Sequence, residues 1–250
     1  MRKVLEKLKS LSNNINLSER FDFDFEINHI FNNKDKKKLI DQNNLFDKNK
    51  ILKQIIRKKY EQKNNYLDLD FWIINEWGGI RGFKKNQRNI EKIIKFKKQI
   101  HKNKITKESF STISSLSKIA SFINPDVFFI YDSRVIYSLN WLILTCENQE
   151  HLNEKYFPLP NGRNKIISNF DMNTIINISH INEFGNATEL YVKEQDAYLK
   201  YCDFIINGAS QVFNREVNSF ELEMLLFTIA DKEIFEDIKR NIKITTNRYL

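Results

Sequence analysis

Six glycines and three prolines are all that this chain of 250 residues carries for tight turns. Sandwiches and barrels turn often and draw heavily on both residues, so a chain this poor in them spends its length on helices. The apolar spacing agrees. "SFSTISSLSKIASFI" and "DSRVIYSLNWLILTC" repeat at helical period, as do "ATELYVKEQDAYLKYCDFII" and "NSFELEMLLFTIADKEIFEDIKR". In the first of them Ile113, Leu116, Ala120 and Ile123 share one face and Lys118 points nearly the opposite way. One segment breaks the pattern. "FDFDFEI", from Phe21 to Ile27, alternates apolar and acidic residues and predicts a short N-terminal β strand or hairpin edge, with Asp22, Asp24 and Glu26 on its solvated side.

The expected fold is mainly α: one hydrophobic core stops growing at roughly 250–300 residues, so the chain is at the upper end of a single domain or is two lobes sharing a core, and a two-lobed helical bundle is expected. Residues 1–65 form a basic, polar N-terminal region packing on the core. Residues 66–157 form a helical lobe, and residues 158–250 a C-terminal helical lobe that begins in "YFPLPNGRNK", where Pro158, Pro160 and an Asn161-Gly162 turn interrupt the helices. Cys146 and Cys202 are the only cysteines, which excludes a disulfide framework or a four-thiol metal site and fits a reducing compartment. "MRKVLEKLKSLSNNI" does not read as a signal peptide, and "VIYSLNWLILTC" is shorter than the roughly 20 residues a membrane span requires. A soluble, cytoplasmic protein with no membrane partner is expected.

Charge divides the chain. Residues 1–110 hold 27 Lys/Arg against 14 Asp/Glu, while 111–250 hold 13 against 18. A basic half beside a slightly acidic one is an electrostatic footprint for nucleic acid, although a chain this crowded with Asn, Lys and Ile also fits A/T-rich codon usage. Within the basic half, "WGGIRGFKKN" gathers Gly78, Gly79 and Gly82 with Arg81, Lys84, Lys85 and, just beyond, Arg88, ahead of a basic amphipathic helix. Glycines let backbone approach a phosphate closely, and a following helix offers free N–H groups. The same glycines also serve as a helix C-cap at Gly78 and a plain turn at Gly82, and both readings stand.

Lys118 and Asp132 lie fourteen positions apart across the "NPD" turn, the aspartate at the N-cap of the second helix. A carboxylate steadies an oxocarbenium-like sugar or activates water, and an amine attacks C1′ to form a Schiff base; the pair therefore fits cleavage of an N-glycosidic bond. It also fits a capping aspartate beside a solvated lysine. His29, His101, His151 and His180 fall at no ligand spacing, so no metal site or other cofactor is expected.

The stretch "SKIASFINPDVFFIYDSRVIYSL", Ser117 to Leu139, resembles the corresponding segment of the helix-hairpin-helix DNA glycosylases (the HhH-GPD superfamily), in particular their 8-oxoguanine branch. The likeness covers about a tenth of the chain. It implies an HhH-GPD-like bundle acting on double-stranded DNA with a flipped base, in repair or in defence against phage, with Lys118 as Schiff-base lysine and Asp132 as catalytic aspartate. On that reading the glycine loop and Arg134 contact DNA. Tyr131, among the aromatic residues around the pair, lines the base pocket. The family's glycine-rich hairpin before the lysine has no counterpart, since no glycine lies between Phe83 and Asn161, and the interval to the aspartate is a few residues shorter. The alternative is a helical, non-catalytic module that binds nucleic acid or protein.

Overall fold

In the computed structural model the described residues are 1–28, 30–62, 66–147, 154–162, 164–182 and 187–243. They are mainly helical. The chain runs through α1 (Arg2–Asn14), the single turn α2 (Leu17–Arg20), α3 (Asn33–Ile40), α4 (Leu45–Gln62) and α5 (Leu67–Trp72), which widens into a π turn over Ile73–Trp77. Then come α6 (Gln87–Ile100), α7 (Lys107–Phe110), α8 (Ile113–Ile123), α9 (Ser133–Cys146), α10 (Met172–Ser179) and α11 (Glu194–Val212). Last are α12 (Phe220–Ile229), a second π turn over Ala230–Ile234, and α13 (Phe235–Asn241).

The abundant small polar residues start these helices. Asn16, Asn32, Asn86, Thr106, Asp132 and Asp171 each stand at an N-cap in extended backbone and accept a hydrogen bond from an amide two or three residues on. Each such cap contributes about 1 kcal/mol. Pro125 follows the end of α8 at Asn124, as its missing N–H and the restraint on its predecessor require.

At the centre lie α8, α9 and α12. From α8, Ser115, Ser117 and Ser121 are buried along with the apolar residues, so this helix has almost no solvent face. That is the physical reason Lys118, expected on a solvated side, is itself buried. Helix α1 packs on α9 and α11, α2 on α12, and α4 on α8. Buried side chains from all three of the expected regions form one contiguous core, from Val4 and Leu8 to Ile234 and Ile238.

The expected N-terminal strand is not formed: among the described residues there is no β ladder, only an isolated bridge between Tyr156 and Tyr191. Its alternation is nonetheless real, since Phe21 and Phe25 are buried while Asp22, Asp24 and Glu26 face outward. Side chains of α4 take the place of a partner strand. Asn49 Nδ2 donates to Phe23 O at 2.8 Å and Lys48 Nζ to Phe25 O at 3.2 Å, so carbonyls that a ladder would use are already satisfied. Burial of the two phenylalanine rings, at roughly 1.5–3 kcal/mol each, then holds the extended segment down.

No helix among the described residues is long and apolar enough to cross a membrane.

Candidate active site

Four helices deliver four charged side chains to one place. Lys118 comes from the middle of α8, Asp132 from the N-cap of α9, Lys53 from α4 and Glu223 from α12. Together with Phe21, Phe23, Asn49, Trp77 and Phe227 they line a small inner chamber of about 40 Å³. Lys118 and Asp132 also line a second space, an outer groove of about 750 Å³ between the glycine loop at Gly78–Ile80, the segment Phe110–Ser115 and the loop Pro158–Gly162. The pair stands on the wall between the two.

Local backbone chemistry explains this placement. Asp132 Oδ1 accepts from Val135 N at 3.0 Å, which pins the carboxylate at the start of α9 and leaves its second oxygen outside that cap bond. Lys118 Nζ donates to Ser114 O at 2.7 Å, one turn back on α8, and is coupled to Asp132 through space. Gly78 caps the π turn, its N–H donating to Ile73 O at 2.8 Å. A Cβ there would stand 2.7 Å from Lys118 Cδ and 2.8 Å from Ile74 O, so only glycine lets the loop lie against the lysine. Gly79 takes φ +66°, where glycine carries no steric cost. Across the groove, Gly162 lies so close to Ser133 that a Cβ would run into the serine side chain.

The electrostatics are those of a desolvated cluster. Lys118 is 7% exposed, and burial pushes its pKa down, opposed by the negative charges of Asp132 and then Glu223. Lys53 is 3% exposed, and its Nζ has no hydrogen-bond partner among the described residues; burial lowers its pKa and Glu223 opposes the shift. The ammonium lies over the rings of Phe122 and Phe220, at 5.2 and 5.3 Å. Burial raises the pKa of Glu223, against the pull of Lys53 and of Ile130 N, which donates to its Oε2 at 2.7 Å. Removing several ions from water costs several kcal/mol apiece, and perturbed groups of this kind gather at functional sites. An amine whose pKa is lowered by burial, set beside a carboxylate on the wall of a groove, can attack an electrophilic carbon or carry a proton.

The other expected site residues separate into three groups. Gly78 and Gly79 border the groove, and Arg81, Gly82, Lys84, Lys85 and Arg88 lie exposed beyond its rim. Lys85 pairs with Asp68, and Asn86 Oδ1 takes the Asn89 amide at the start of α6, a donor a phosphate would otherwise meet. Arg134 is turned inward: it pairs with Asp231 at 2.9 Å and its guanidinium stacks 3.8 Å over the Phe227 ring. Tyr131 is fully buried, its hydroxyl donating to Pro158 O at 2.7 Å and its ring packed edge-on against Phe110 and Tyr201. It braces the groove from behind and does not border it.

Among the described residues no group of three or more His, Cys, Asp or Glu side chains is placed to hold a metal ion; His29 and His151 lie outside those residues. Cys202 is buried, which pushes its thiol up to about 12 and leaves it without nucleophilic character. No family model, no curated protein and no solved structure matches the chain.

Proposed function

We propose that the protein is a DNA N-glycosylase of the helix-hairpin-helix type, cleaving the bond between a damaged or modified base and its sugar. The observation that carries this reading is the placement of Lys118 and Asp132, from two successive helices, on one wall of a groove large enough for an extruded nucleotide. In the proposed reaction the neutral amine of Lys118 attacks C1′. The C1′–N bond breaks, and its electron pair leaves with the base, which takes up a proton. Asp132 faces the positive charge that develops on the sugar and accepts the proton lost by the new secondary amine; opening of the sugar ring then gives an imine. Burial of Lys118 supports the step, because a lowered pKa supplies more free amine at neutral pH than an exposed lysine has.

The Asp132 cap favours a second reading, a non-catalytic binding module in which the carboxylate only starts α9. One substitution separates them. Asparagine caps nearly as well as aspartate, so Asp132→Asn keeps the fold in both readings. With duplexes carrying damaged or modified bases, formation of abasic sites by the native protein and its loss in Asp132→Asn support the enzyme. No abasic sites across a broad panel support the binder, and equal yields from the two proteins overturn the catalytic role of Asp132.

A further inference from the structure

Between Arg81 and Lys104 the chain carries ten lysines and arginines and a single acid, Glu91. Three of the cations are neutralised locally: Lys85 pairs with Asp68, Lys95 with Glu108 and Lys97 with Asp70. The other seven, Arg81, Lys84, Arg88, Lys92, Lys98, Lys102 and Lys104, make no ion pair with another described residue, and Glu108 is the acid that senses Arg88 and Lys92 through space. At 3.6 residues per turn, Arg88, Lys92, Lys95 and Lys98 fall within an arc of about 120°. The opposite face, Ile93, Phe96 and Ile100, is buried in the core.

We infer that this face of α6 is a docking track for the phosphate backbone of duplex DNA, extending outward from the rim of the groove. Continuity is one argument: Gly79 and Ile80 line the groove, Arg81 follows them directly, and α6 begins six residues later. Regularity is another. From Arg88 to Lys98 the helix rises about 15 Å, over which one strand of DNA presents about four phosphates. A membrane surface fits poorly, because a helix lying in a bilayer interface inserts an apolar face, whereas Ile93, Phe96 and Ile100 of α6 are committed to the core and Ile94 alone of its apolar residues is exposed. The inference shares its substrate class with the proposed function and is independent of bond cleavage.

The test is equilibrium binding of undamaged duplex DNA by the full chain, read by fluorescence anisotropy over a range of salt. Four phosphate contacts give log K against log salt a slope of about −3.6. The triple variant Arg88→Ala, Lys92→Ala, Lys98→Ala is expected to lose about 2.7 of that slope and to bind on the order of 10²-fold more weakly near 0.1 M salt. A control triple on other helices, Lys7→Ala, Lys9→Ala, Lys37→Ala, removes the same charge and is expected to leave slope and affinity near native. An unchanged slope in the α6 variant, or an equal loss in the control, overturns the assignment, as does binding to anionic vesicles with none to DNA. Because undamaged duplex is used, absence of glycosylase activity leaves this result intact, and loss of the track leaves the chemistry of Lys118 to be judged on its own.

Discussion

Replacing Lys53 with methionine keeps the apolar stem that packs beneath Phe122 and Phe220 and removes the ammonium, which tests directly what burial does to this charge. Lys53 is 3% exposed and its Nζ has no hydrogen-bond partner among the described residues, so its pKa lies below the ordinary lysine value, with desolvation outweighing Glu223. A lysine whose folded pKa is depressed releases its proton in the native state before it does so in the unfolded chain. Between those two values the unfolded state binds more protons, and stability rises with pH by up to about 1.4 kcal/mol per unit for each such lysine. Buried tyrosines and Cys202 act in the opposite sense, since they stay protonated in the fold while the unfolded chain ionises. The informative quantity is therefore the difference between native and Lys53→Met proteins, in which those groups cancel. Urea unfolding at half-unit steps from pH 7 to 10 is expected to show native stability gaining on the variant as pH rises, up to that slope. A difference that is flat with pH would show that Lys53 keeps its proton equally in both states, and the desolvated cluster would have to be abandoned.

Two further substitutions examine the walls of the site. Gly78→Ala places a methyl 2.7 Å from Lys118 Cδ and within 3 Å of two backbone carbonyls, so a loss of about 1–3 kcal/mol in chemical denaturation is expected, together with displacement of the lysine. Arg134→Met, which breaks the ion pair to Asp231 and the stack on Phe227, is expected to lower the melting temperature while leaving DNA affinity in the anisotropy assay unchanged.

The helical class was legible because it rests on local signals: few turn residues, clear apolar period, and N-cap side chains such as Asp132. Lys118 and Asp132 stood out in the sequence through a short resemblance and the chemistry of their side chains, and the fold brings both to the wall of one groove. What failed were statements about which side faces water. The side of α8 that carries Lys118 was expected to be solvated, yet the small hydroxyls on this helix are cheaply buried when bonded: Ser117 Oγ takes the Tyr131 amide at 3.0 Å, and Ser121 donates to Lys118 O at 2.8 Å. The inner half of the cluster went unread. A signal for Lys53 existed, since Phe46, Asn49, Lys53 and Ile56 follow one another at helical spacing and all four are buried. Glu223 sits in a helix apolar on every side, where a carboxylate has no way out. The strand over "FDFDFEI" failed for a different reason: period-two burial needs only an extended chain on a core, whereas a strand needs a partner, and partners are not visible in a local pattern.

Covalent trapping with borohydride measures the chemistry of the amine most directly. Native protein incubated with a damaged-base duplex and borohydride should give a stable protein–DNA adduct whose linkage maps to Lys118, and Lys118→Met should give none while remaining folded. An adduct of equal yield in Lys118→Met, or linkage at another lysine, would contradict the assignment of this side chain as the nucleophile.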